Sequence, residues 1–222
     1  MAARLALPGL LLAGALLGAC GDARRYDQAV GVLIDVSGTY TDEREETVRV
    51  IKREILPHLV PGDTLLVARI DSQSYDRENL EALLTLDRRP SHANAQKLEV
   101  SRALDAFVSR PMNSAHTDIP GAILLASEYL EETGAGSRVL LLFSDMQEDL
   151  PPGTTRRLEP GDLAGTHVVA MNVKRLAPDQ ADPATFRRRL EAWDARVAAA
   201  GAEEWRTIMD PAHLPEYLES IR

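Results

Sequence analysis

Two apolar runs that cannot be left half-exposed limit what this chain can fold into. Residues 29–34 and 138–143 are short and almost wholly apolar, without the alternation of a strand that has one wet face. Each therefore needs cover on both sides, which calls for a central sheet between two layers of helices. Both runs also stop at a carboxylate. Val32-Leu33-Ile34-Asp35-Val36-Ser37-Gly38-Thr39 leads from strand to Asp35 and then to hydroxyls at alternate positions, and Leu140-Leu141-Leu142-Phe143-Ser144-Asp145 repeats the apolar run ending in Asp. Between them, His116-Thr117-Asp118 offers one more hydroxyl.

The remaining segments supply the helices and further strands. Asp42 with Glu45 makes a capping pair, and Val48, Ile51, Ile55 and Leu59 recur at helical spacing. Pro61-Gly62-Asp63 turns the chain into a second apolar strand, residues 64–70. Strand, helix, strand at this length is a parallel, right-handed crossover. A polar connection, residues 71–79, is short enough to make the next strand, residues 80–86, an antiparallel edge. A helix follows over residues 93–108 with Leu98, Leu104 and Phe107 inward. Another starts near Pro120, where proline fits the first turn, and packs through Ile123, Ala126 and Leu130 until Gly134 and Gly136 end it. After the 138–143 strand, residues 146–165 carry Pro151-Pro152-Gly153 and Pro160-Gly161 and read as a long surface loop. A strand at 167–173, a helix at 183–200 with Phe186, Leu190, Trp193 and Val197 inward, a strand at 204–208 and a helix at 211–221 complete the pattern.

The expected architecture is an α/β, doubly wound, mostly parallel open sheet of about six strands with helices on both faces. In such sheets ligands bind beyond the carboxyl ends of the strands, where strand order reverses. Asp35 and Asp145 stand at two such ends. At 222 residues there is room for one domain with a sizeable core. A formal net charge of −9 argues against a nucleic-acid partner, which wants a concentrated basic face. The one basic run, Arg187-Arg188-Arg189, points in three directions round a helix and belongs to a solvated surface.

The N-terminus precedes the fold. Residues 5–19 are mostly Leu, Ala and Gly behind Arg4, the pattern of a secretory signal and too short for a membrane span. Leu17-Gly18-Ala19-Cys20 resembles the lipobox of bacterial lipoproteins, and Cys20 is the single cysteine of the chain. The resemblance implies cleavage before Cys20 and acylation of its thiol. The domain plan is then a signal peptide over 1–19, lipidated Cys20 with a short tether over 20–27, and one globular domain over 28–222. The tether, about seven residues, spans at most about 25 Å. The expected location is exported and lipid-anchored to the cell membrane or outer membrane, facing the periplasm.

Asp35-x-Ser37-x-Thr39, then Thr117, then Asp145 resembles the metal-ion-dependent adhesion site of von Willebrand factor A domains, with threonine where the family usually has its second serine. Pro61-Gly62-Asp63, Thr117-Asp118 and Ser144-Asp145 fall in the family's order. The resemblance implies that Ser37, Thr39 and Thr117 are direct ligands of a divalent cation, with Asp35 and Asp145 binding directly or through water. The family often has glycine after the last aspartate, where this chain has Met146. Two carboxylates and three hydroxyls are hard oxygen donors suited to Mg²⁺ first, with Mn²⁺ or Ca²⁺ as alternatives. His116, Asp118 and Met146 are candidates for the rim, and Glu148 and Asp149 for an acidic border. The implied function is non-enzymatic. The lipid-anchored domain binds an envelope or surface protein by receiving its acidic side chain on the cation.

Two other readings use the same residues. In a phosphatase of the haloacid dehalogenase type Asp35 would be the nucleophile, Thr39 a positioning residue and Ser144 a phosphate ligand. Ser37 then stands where the general acid is needed, and a serine cannot fill that role near neutral pH. In a metal-free structural lipoprotein the contacts would lie on another face.

Overall fold

The computed structural model describes residues 26–38, 40–112, 114–171 and 173–222. The signal segment, Cys20 and Thr39 lie outside the described residues. Among those described, no helix is long and apolar enough to cross a membrane.

Six strands form one sheet: β1 (Gln28–Asp35), β2 (Thr64–Ile70), β3 (Leu80–Thr85), β4 (Ser137–Phe143), β5 (Thr166–Met171) and β6 (Glu204–Ile208). Their order is β3-β2-β1-β4-β5-β6, and every pairing is parallel except β2 with β3. The expected doubly wound sheet is therefore present, with its antiparallel edge at β3. Residues of β1 are buried throughout, as an unalternating run in the middle of a covered sheet requires.

Each face has its own core. Val30, Val32 and Ile34 of β1 pack with α1 (Arg44–Val50), α2 (Pro90–Ser109) and α6 (Leu214–Ser220). Ala29 and Leu33 point the other way, to α3 (Ile119–Glu132) and, after the short α4 (Ala177–Ala181), to α5 (Pro183–Ala199). Gly31 has a packing role on that second face. A Cβ there would come within 2.6 Å of Leu140 and 3.2 Å of Leu130, so its absence lets α3 close onto the sheet.

Several local expectations need correction. Asp42 and Glu45 do not form a capping box. A 3₁₀ turn, Thr41–Glu43, precedes α1, and Glu43 enters the helix with helical dihedrals and no side-chain cap. The turn itself continues the backbone bonding, with Tyr40 N–H on Ser37 O at 3.1 Å and Glu43 N–H on Tyr40 O at 2.9 Å. After α1 the helix widens into a π stretch, Ile51–Ile55, closed by Leu56 N–H on Ile51 O at 2.9 Å. Both Val50 and Ile51 are buried as a result. Leu98, expected inward, is 53% exposed. The buried stripe of α2 is Ala93, Val100, Leu104 and Phe107, and Leu98 lies about 200° round the helix from Val100 at about 100° per residue.

The turn before β2 holds the base of the sheet. Asp63 is fully buried and accepts from Gln28 N–H at 2.9 Å, Val60 N–H at 2.8 Å and both Nη atoms of Arg222 at 2.8 Å. One carboxylate thus joins the start of β1, the turn into β2 and the segment after α6.

Candidate functional site

The chain leaves β1 toward β2 on one side and later returns to β4 on the other, so the gap beyond β1 and β4 is the switch point of the sheet. Asp35 is the last residue of β1 and is 0% exposed. Its Oδ1 accepts from Ser37 N–H at 2.8 Å and its Oδ2 from the Ser144 hydroxyl at 2.7 Å. Burial pushes its carboxyl above the ordinary value, the bonds from Ser144 and Ser37 oppose that, and the nearby charge of Asp145 adds to it. Asp145 is itself buried, with Oδ1 accepting from Gln147 N–H at 2.8 Å.

Backbone ladders bring the hydroxyl residues to the same end. Ser37 pairs with Ser114, whose N–H donates to Val36 O at 3.2 Å. Thr117 pairs with Asp149 through reciprocal bonds of 2.8 and 3.1 Å. Asp118 N–H reaches Asp71 O at 2.8 Å, tying in the loop after β2. Ser37 and Thr117 are buried with the two aspartates. Of the five expected ligands, the four described ones thus converge on the sheet's C-terminal end, and Thr39 lies outside the described residues.

The rim differs from expectation. His116 is there, its Nδ1 2.9 Å from Asp149 Oδ2. Asp118 is not, because it is fully buried as the N-cap of α3, taking Gly121 N–H at 2.9 Å and an ion pair from Arg156. Burial raises its carboxyl above the ordinary value against those two partners. Glu148 pairs with Arg196, leaving Asp149 as the acid beside His116.

Met146 also turns away from the rim. Its φ is +60°, the left-handed region that favours glycine, and its side chain is buried among Ile119, Trp193 and their neighbours in the second core. The conformation costs about 1–2 kcal/mol for a residue with a Cβ. Three contacts hold it: the burial, Met146 N–H on Ser144 Oγ at 3.0 Å, and the Trp193 indole N–H on Met146 O at 2.9 Å. A continuous chain of bonds therefore runs from Trp193 through Met146 and Ser144 to Asp35. Sequence reading placed Trp193 in the core and missed this link. A glycine at 146 would have signalled the backbone turn, whereas methionine conceals it.

The donor set fits a hard divalent cation. All four described residues offer oxygen, and a cation would offset the charge of the two buried carboxylates. Among the described residues no three of His, Cys, Asp and Glu gather to hold a metal, so a cation here would depend on the hydroxyls. Ser144, the phosphate ligand of the alternative reading, spends its hydroxyl on Asp35.

No protein-family model matches the chain, and no curated protein matches it in sequence. Solved structures do resemble it. A mutant of the PilB minor pilin from Streptococcus sanguinis superposes with a TM-score of 0.53 at 10% identity, over 89% of this chain and 61% of that one. The pilus adhesin SpaC from Lactobacillus rhamnosus GG, in its open conformation, gives 0.52 at 11% identity, over 88% of this chain and 29% of that one. A von Willebrand factor type A protein from Catenulispora acidiphila gives 0.48 at 16% identity, over 87% and 41%. This chain spans about three fifths of PilB and less than a third of SpaC, and at these identities the likeness is one of fold.

Proposed function

We propose that this chain is a non-enzymatic adhesion module of the von Willebrand factor A type. It captures an acidic side chain of a partner protein through a divalent cation, Mg²⁺ first, held by Asp35, Ser37, Thr39, Thr117 and Asp145. The observation that carries the reading is the pair of buried carboxylates at the switch point, Asp35, bonded to Ser37 N–H and the Ser144 hydroxyl, and Asp145, the residue after Ser144. Hydroxyl oxygens add coordination without adding negative charge, so the bound ion retains attraction for an incoming carboxylate.

The module is exported and anchored through Cys20 in this proposal, and its partner is an envelope or surface protein. β1 enters at Gln28 and reaches Asp35 seven residues on, about 23 Å away at about 3.3 Å per residue. A lipid on Cys20 would therefore leave the site at the end of the domain away from the membrane.

Affinity capture from envelope extracts tests the binding. A partner should be retained by the wild type with Mg²⁺ and released by chelator, and Asp145→Ala should retain none. Capture that is indifferent to the chelator sinks the metal-dependent reading. The anchor is tested separately by fractionation, where Cys20→Ser should move the chain out of the membrane fraction; a variant that stays there rejects the lipid.

A further inference from the structure

Beside the proposed cage lies a second opening in the same end of the sheet. It is a cavity of about 460 Å³ whose wall includes Val36, Arg69, Asp71, Ser72, Met112 and Ser114. It adjoins the cage directly, because Val36 precedes Ser37 and Ser114 pairs with Ser37 across the shared wall. The Ser72 and Ser114 hydroxyls, 2.7 Å apart, fix the polar side of the opening.

Arg69 is the basic residue in that wall, and its side chain is 21% exposed. Nη2 donates to Glu78 O at 2.8 Å. The partner of Nη1 is the Met112 sulfur at 3.7 Å, and a thioether is a weak acceptor. Nε lies 3.0 Å from Glu81 Oε1, but the angle is too poor for a hydrogen bond. Glu81 is also the carboxylate of Arg110, so one acid serves two guanidinium groups. Arg44 and Arg110 both lie against the Phe107 ring, at 5.7 and 5.4 Å, which adds a third cation to the cluster. Of these three arginines, Arg69 is the one that lines the opening. Asp71, the acid in the wall, has its Oδ1 engaged by Gln73 N–H at 2.8 Å and the Asn79 amide at 3.3 Å.

We infer that this cavity is an anion subsite for a second carboxylate of the same ligand, so that the partner is recognised by two acidic side chains on one segment. The inference rests on the proposed capture of the first carboxylate by the cage. A carboxylate entering beside Met112 would replace the sulfur on Nη1 with a charge-assisted bond, the interaction for which a guanidinium fork is suited.

The test uses the full chain in detergent with Mn²⁺ and synthetic peptides carrying two glutamates separated by one to four glycines. Each is compared with the peptide in which the second glutamate is glutamine. Wild type, Arg69→Met and Met112→Glu are measured, with Mn²⁺ binding and thermal melting followed separately. Met112→Glu keeps Arg69 but supplies an internal carboxylate to Nη1, so it fills the subsite even if Arg69→Met folds poorly. The inference expects at least one two-glutamate peptide to bind wild type about tenfold tighter than its glutamine counterpart. That preference should shrink to less than about twofold in the variants while Mn²⁺ affinity holds. Equal binding of every peptide pair, no peptide binding at all, or a preference that survives in Met112→Glu overturns it. If Mn²⁺ fails to bind wild type, the metal reading fails by itself. An Arg69-dependent preference seen then still supports the subsite, and its absence overturns that too.

Discussion

Asp35→Asn is expected to raise the melting temperature of the cation-free protein and to abolish the further rise that Mn²⁺ gives the wild type. Asp35 is fully buried, and burial, with Asp145 nearby, lifts its carboxyl above the ordinary value. The sign of the linkage follows. A carboxyl whose proton is held more tightly in the folded state favours folding while protonated, and that contribution is lost as pH rises through the folded value. Near neutral pH the ionised Asp35 is therefore a cost in the absence of a cation. Asparagine removes the charge and keeps the shape. Its oxygen still accepts Ser37 N–H, and its amide can donate to Ser144 Oγ, which then loses an acceptor for its own proton. That lost bond is worth about 1 kcal/mol, less than the relief of a buried charge beside a second carboxylate.

The wild type should instead gain from the ion. A cation at about one hundred times its dissociation constant stabilises by about 2.7 kcal/mol, or about 5 to 11 °C at about 2–4 °C per kcal/mol for a chain of this size. Calorimetry with and without Mn²⁺ at pH 7.5 reads both effects. The wild-type increment should shrink at lower pH as protons compete for Asp35. An Asp35→Asn protein that gains as much from Mn²⁺ as wild type would show that the ion binds elsewhere.

What the sequence disclosed depended on how local each signal was. β1 and β4 were legible because strands covered on both faces must be apolar throughout, and the short polar link before Leu80 exposed the antiparallel edge at β3. Asp35 ends β1 and Asp145 lies just beyond the end of β4, positions that could be read from order along the chain. The misreadings involve choices made by tertiary contacts. Asp118 was expected at the rim, but Arg156, 38 residues away, and the first turn of α3 take it inside. Met146 adopts a glycine-like turn because Trp193, 47 residues on, holds its carbonyl. The π stretch at Ile51–Ile55 leaves a normal-looking apolar stripe and changes only which backbone carbonyl each N–H meets. Leu98 failed as a core residue because α2 begins at Pro90 and is oriented by Ala93, Val100, Leu104 and Phe107 together.

Asp63→Ala is expected to be the most destabilising single change outside the candidate site, at about 3–5 kcal/mol, the range for removing one partner of a buried ion pair. The carboxylate is fully buried while the Arg222 side chain is 23% exposed, so the two halves of the pair are not equivalent. Removing Asp63 strips Gln28 N–H and Val60 N–H of their acceptor as well as Arg222 of its counter-charge. Arg222→Met leaves the buried carboxylate with its two backbone donors, and the arginine that is lost was partly hydrated. It should cost less, by roughly half. Urea unfolding of the two variants and the double variant measures the difference, and the double should lie close to Asp63→Ala because Arg222 has little left to contribute once its partner is gone. An Arg222→Met protein as unstable as Asp63→Ala would mean that the ion pair itself, and not the two backbone bonds, secures the base of the sheet. Since Asp63 closes the end of β1 opposite Asp35, neither variant should alter Mn²⁺ binding in the folded protein.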